Sequence, residues 1–76
     1  MNQEDKDMLQ EIGRLMAKET YARKVGNSFM ADHYKYTRLA LSKEAKMRGL
    51  MNTAEGCGLA LDSLIDSLDE EIKSCG

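Results

Sequence analysis

With 76 residues the chain is long enough for one domain at most, and it contains no proline, no tryptophan and a single histidine. Hydrophobic residues make up 42% of the chain and charged residues 32%, a balance typical of folded domains rather than disordered segments. The N-terminus lacks the basic region and apolar run of a signal peptide. No stretch approaches the roughly 20 apolar residues of a membrane span. We therefore expect a cytoplasmic protein without membrane contact.

The net charge of −2 is distributed unevenly along the chain. Residues 1–26 are neutral, residues 27–52 carry +3 and residues 53–76 carry −5. The simplest interpretation is that basic and acidic helices attract one another within the fold. The alternative is that one charged surface serves a partner.

The first predicted helix covers about residues 5–25, where apolar residues recur at steps of about 3.6. Gly26 suits the position just after a helix, and Asn27 and Ser28 suit the cap of the next one. Together these three residues predict a break.

The second predicted helix covers about residues 29–51 and carries two adjacent apolar faces. An apolar arc this wide predicts contacts with more than one neighbour. Three glycines within residues 49–58 predict a second break, although one bent helix over residues 28–74 is a competing interpretation. The first face consists of Phe29, His33, Tyr36, Ala40, Met47 and Leu50, and the second of Met30, Tyr34, Thr37 and Leu41.

The third predicted helix, about residues 54–74, has the clearest amphipathic pattern. We expect Cys57 to extend its apolar stripe as a small packed side chain. Acidic residues lie towards its C-terminal end, where the helix dipole disfavours them. The apolar stripe consists of Leu61, Leu64, Ile65, Leu68 and Ile72.

These patterns predict an all-α fold, with one domain over residues 1–76 built as a small three-helix bundle or a helical hairpin. One core of this size rarely supplies more than about 3–5 kcal/mol of net stability. The second and third helices offer more apolar surface than so short a chain covers, so we expect a dimer or higher homo-oligomer. The predicted buried residues are Ile12, Leu15, Tyr36, Leu41, Leu61, Leu64 and Leu68.

No spacing in the sequence matches a catalytic, cofactor or metal site, so we expect a protein that is not an enzyme and needs no cofactor. His33 has no cysteine or histidine at ligand spacing, and we expect it to be packed or hydrogen-bonded. On one helix Cys57 and Cys75 would lie about 27 Å apart at ~1.5 Å per residue. A disulfide needs Cα atoms within about 7 Å, so we expect two free thiols, as in a reducing cytosol.

The acidic residues of the third helix form the first candidate site. Their spacings of three and four place them in one strip, which we call the acidic strip. A solvated face is the ordinary interpretation, and a surface that docks on a basic partner is the functional one. We therefore expect an adaptor or inhibitor that binds a larger protein, a class common among phage and mobile-element accessory proteins. The acidic strip consists of Asp62, Asp66, Asp69 and Glu70.

The middle helix offers an alternative site, because basic residues alternate there with aromatic ones. Such mixtures bind phosphates and stack on bases, which indicates nucleic-acid or nucleotide binding. The sequence pI of about 5.3 is far below the value of about 9 that is usual for nucleic-acid-binding domains. The candidate phosphate-binding residues are Tyr34, Lys35, Arg38 and Arg48.

Overall fold

The computed structural model describes the backbone of residues 1–75 and the side chains of residues 1–73. Over this part of the chain it contains helices and no strands, which confirms the predicted all-α three-helix bundle. The elements are α1 (Gln3–Lys24), α2 (Ser28–Met47), a short 3-10 turn (Leu50–Asn52) and α3 (Ala54–Cys75).

The predicted break between α1 and α2 is confirmed, and its geometry explains the residues found there. Gly26 adopts a φ of 83°, a left-handed conformation that favours glycine. The Gly26 N–H donates to the carbonyl of Arg23 and the Asn27 N–H to that of Ala22, which is the double hydrogen bond of a Schellman helix end. The Asn27 side chain then accepts a hydrogen bond from the Met30 N–H and begins α2.

The second break lies within the predicted tract, and the interpretation as one bent helix is wrong. α2 ends at Met47 rather than near residue 51, because Gly49 turns the chain with a φ of 74°. After the 3-10 turn, the Thr53 hydroxyl accepts a hydrogen bond from the Gly56 N–H at 3.0 Å and caps α3.

The central helix of the bundle is α1, which packs against both other helices. Over the residues that the structure describes, α2 and α3 do not pack against each other along their lengths, although both contact the 3-10 turn between them. α3 runs in the same direction as α1: the Ser63 hydroxyl donates to the Gln10 carbonyl at 2.6 Å, and further along both helices Tyr21 and Glu71 line the same pocket. The helices therefore run up, down and up, with open space between the two outer ones.

The best-packed part of the core lies at one end of the bundle. There the N-terminal half of α1 meets the end of α2 and the 3-10 turn, around Leu9, Ile12, Ala45 and Leu50. The predicted burial of Ile12 is confirmed, as is that of Leu15. Three further residues that the sequence predicts to be buried are half-buried: Leu41, Leu64 and Leu68.

Small residues bring α1 and α3 into unusually close contact. A Cβ atom added to Gly13 would lie 2.2 Å from the carbonyl oxygen of Ala60. Ala17 on α1 and Ala60 on α3 are also buried. We call this contact the α1–α3 seam. Glycine and alanine let two backbones approach, so the seam buries few large side chains.

Three burial predictions are wrong, and the reason is the same for all of them. Tyr36 is 67% exposed and Leu61 is 55% exposed, and Cys57 is an exposed free thiol rather than a packed side chain. α2 packs on α1 through the second of its two apolar faces, and α3 packs through its small residues. Tyr36, Leu61 and Cys57 therefore point away from α1.

None of the helices, over the residues described, has an apolar stretch of the length and hydropathy that a membrane span requires.

Candidate interaction surfaces

All four residues of the acidic strip are exposed, but they face two different surroundings. Asp62, Asp66 and Glu70 line an open polar cleft of about 420 Å³ between α1 and α3. Arg14 lines the same cleft from α1, and its guanidinium pairs with Glu11 one turn away. The acids therefore form one wall of a cleft with a cation beside it.

Asp69 borders a second feature of α3, an apolar ridge that the chain leaves uncovered. It follows Ile65 by one helical turn, so the two side chains are neighbours on the helix surface. Ile65 is 59% exposed and Ile72 is 54% exposed. The ridge consists of Leu61, Ile65 and Ile72.

Beside this ridge lies an apolar groove of about 250 Å³ between α1, the 3-10 turn and the start of α3. Its lining is almost entirely apolar, in contrast to the polar cleft on the other side of the seam. The thiol of Cys57 lies 3.2 Å from the Met51 carbonyl at one end. We use the name α3 groove for this apolar groove together with the neighbouring ridge of Leu61, Ile65 and Ile72. The groove is lined by Ile12, Met16, Met51, Cys57, Ala60, Leu61 and Leu64.

The candidate phosphate-binding residues do not form one surface. Arg38 donates to Glu19 at 3.2 Å, and both side chains are largely buried between α1 and α2. Arg48 lies at the other end of α2, where it pairs with Glu44 and Asp5.

Carboxylates also fix the charge of Arg48. Its hydrogen bonds to Glu44 and Asp5 raise the pKa of the exposed Arg48 guanidinium above the usual value. Tyr34 is half-buried, with the Lys18 ammonium 5.9 Å from its ring centroid. Three of the four predicted residues thus contact groups within the fold, and Lys35 lies beside Tyr36, with its ammonium 6.0 Å from that ring.

A further surface is the side of α2 that faces away from α1. We call it the outer α2 face. His33, which the sequence predicts to be packed, is exposed there with its ring edge-on to Tyr34 at 5.8 Å. Every residue of this face is exposed: Phe29, His33, Tyr36, Ala40, Lys43 and Met47.

No group of three or more histidine, cysteine or acidic side chains suitable for a metal ion occurs among the residues the structure describes. No family model matches the chain, and no curated protein or solved structure is significantly similar to it.

The acidic strip is recognisable in the sequence, whereas the α3 groove is not, because an amphipathic leucine stripe predicts a buried face. A signal for the correct orientation was present. Small residues recur on α3 at spacings of four, three and four, which marks a second possible packing side. These residues are Gly56, Ala60, Ser63 and Ser67.

Proposed function

We propose that this protein is a small non-enzymatic interaction module, an adaptor or inhibitor, whose α3 groove binds a basic amphipathic helix of a larger protein. The observation that supports this most directly is the exposure of the large apolar side chains of α3. Leu61, Ile65 and Ile72 are each more than half exposed and continue an apolar groove. Contiguous apolar surface of this kind is typical of sites that bind a helix or another protein.

The charge beside the groove favours a basic partner. Asp69 lies next to the ridge, and α3 as a whole carries far more acidic than basic residues. A partner helix with leucines on one side and lysines along its edge would place apolar against apolar and positive against negative. The acids would speed the encounter and fix the orientation more than they would add affinity.

We also propose that the protein is located in the cytosol. Cys57 is exposed and unpaired, a state that reducing compartments maintain. The thiol lies in the groove wall, so an oxidising compartment would expose the proposed binding site to modification.

Binding of designed peptides tests the proposal before any natural target is known. The probe is a fluorescent leucine–lysine amphipathic helix of about 18 residues, or five turns, and its matched control carries glutamate at every lysine. We expect fluorescence anisotropy to show binding of the basic peptide only, weakening as salt rises. Leu61→Glu should reduce affinity by at least ~10-fold, because it places a charge in the apolar contact.

Charge reversal separates the acidic strip from the alternative site on α2. Asp66→Lys with Asp69→Lys should leave the helical circular dichroism spectrum unchanged, since both residues are exposed, and should slow association most at low salt. Lys35→Glu should have no effect on peptide binding. It is a cleaner control than Arg38→Glu, which would place a carboxylate against Glu19.

Two results would contradict the proposal: equal binding of the acidic and basic peptides, or unchanged binding by Leu61→Glu. If the protein instead binds single-stranded oligonucleotides, and Lys35→Glu abolishes that binding, the phosphate-binding alternative gains support.

A further inference from the structure

The outer α2 face has the spacing of a coiled-coil seam. Its six residues follow one another at steps of four, three, four, three and four along the helix, which is the alternation of a and d positions in a heptad. Phe29 is 82% exposed and Met47 is 75% exposed, so the two bulkiest ends of this seam face solvent. On the opposite side of α2, Arg38 pairs with Glu19 of the chain's own helix α1, and Ala31 is buried.

This face is complementary to itself when a second copy is turned end for end. A two-fold axis at residue 38 would place Phe29 against the partner's Met47 and Tyr36 against the partner's Ala40. Large residues then meet smaller or flexible ones, which is how adjacent core layers interlock. His33 would lie opposite the partner's Lys43 within the same seam.

The flanking residues of the same helix fit this arrangement. Leu39, Asp32 and Lys46 each precede an a position of the seam, so they are g positions, and g positions face one another across an antiparallel pair. Leu39, which is 44% exposed, would therefore meet the partner's Leu39 beside the axis. Asp32 would meet the partner's Lys46, an opposite charge. Asp32 already accepts a hydrogen bond from Arg23, and a carboxylate has capacity for several.

Other pairings of two copies are less favourable. A parallel α2 pair would set Lys43 against the partner's Lys43 and Tyr36 against the partner's Tyr36, with like charges in the seam. A pair through α3 would bring two acidic helices together. We propose that a second copy of this chain docks on the outer α2 face, as an antiparallel two-fold dimer.

The dimer leaves the proposed binding site open. The α3 groove lies on α1 and α3, whereas the dimer contact lies on the outer side of α2, so each dimer would present two free grooves. The seam covers fewer than three heptads, so the buried area falls at the small end of specific interfaces and the affinity should be micromolar. Formation of the dimer does not depend on the peptide binding proposed above.

The first experiment is sedimentation equilibrium or light scattering over a concentration series. We expect the mass to rise from the 8.5 kDa of the single chain towards twice that value. Leu39→Glu places two carboxylates at the axis and should raise the dissociation constant at least ~10-fold, with helical circular dichroism retained. Ile65→Glu, on the exposed ridge of α3, should leave dimerisation unchanged.

A charge-swap pair tests the antiparallel register itself. Asp32→Lys alone creates two lysine–lysine contacts in the dimer, and Lys46→Asp alone creates two aspartate–aspartate contacts, so each variant should dimerise less than the wild type. Mixed together, the two variants restore both opposite-charge pairs, and we expect a heterodimer as strong as the wild-type dimer.

Cysteine cross-linking gives a second readout that does not depend on affinity. In a background with Cys57→Ser and Cys75→Ser, Leu39→Cys should form a disulfide-linked dimer on mild oxidation. Met47→Cys should not, because the two copies of that residue would lie about 27 Å apart at ~1.5 Å per residue. Cross-linking of both variants would indicate a parallel pair and overturn the proposal. A monomer at millimolar concentration, or a dimer lost on Ile65→Glu but kept on Leu39→Glu, would also overturn it.

Discussion

The two sides of α3 reverse the usual relation between side-chain size and burial. On the inner side, Gly56 is buried against Leu50 of the 3-10 turn and Ala60 is buried against α1, with Ser63 half-buried beside it. On the exposed side lie Leu61 and Ile65. The difference between the two sides follows from the α1–α3 seam. Close approach of two backbones gives extensive contact without large side chains, and it leaves the large ones outside for another molecule.

The most severe way to break the inner side is to fill the gap between the backbones. Gly13→Val should destabilise the fold by more than ~3 kcal/mol, because its Cβ would meet the Ala60 carbonyl oxygen and the Leu64 amide, neither of which a rotamer change relieves. Urea unfolding followed by circular dichroism measures the loss. The matched control is Gly58→Ala, where no atom lies within 4 Å of the added Cβ and a gain of up to ~1 kcal/mol is expected. Equal losses in the two variants would refute the close packing of the seam.

Leucine truncations on the two kinds of surface compare core and exposed positions directly. Leu9→Ala should cost about 3 kcal/mol, because Leu9 is fully buried in the core cluster. Leu61→Ala should cost less than ~1 kcal/mol in the isolated monomer, since more than half of its side chain is already in water. Thermal or urea unfolding at a concentration below dimerisation gives both values. A large loss for Leu61→Ala would mean that the ridge is covered in solution.

A smaller effect is expected for the side-chain hydrogen bond that crosses the seam from Ser63. Ser63→Ala removes the hydroxyl that donates to the Gln10 carbonyl, and should cost about 1 kcal/mol. Ser67→Ala, one turn further along the same side of α3, is the matched control and should cost less, since no hydrogen bond from Ser67 to α1 occurs among the described residues. Native-state hydrogen exchange at α1 and α3 should localise the loss to the seam.

The smallest expected effect concerns the third side of α3, which carries the acidic strip. Asp69→Asn should stabilise the fold by about 0.2–0.5 kcal/mol, because it removes a negative charge near the C-terminal end of the helix and from beside other acids. The gain should disappear at high salt, where the repulsion is screened. Stabilisation without loss of peptide binding would contradict a binding role for Asp69.

The sequence carries enough information to define the elements of this fold. The positions of the helices in the sequence follow from their apolar periodicity. The two breaks follow from Gly26 and Gly49, whose positive φ values other residues rarely adopt. The exposure of the acidic strip also follows from its sequence, because ionised carboxylates remain in water unless they are paired.

Only the tertiary structure decided which side of each helix faces inward. Periodicity identifies apolar stripes but does not rank them, and both α2 and α3 carry more than one possible packing side. The choice depends on how two surfaces fit: α1 presents Gly13 and Ala17 to α3, and only small residues opposite them allow the backbones to meet. That requirement turned Leu61 outward, and the packing of α2 on α1 through the side that carries Ala31 and Ala45 turned Tyr36 outward. The two apolar surfaces on which the proposed functions depend result from these two contacts.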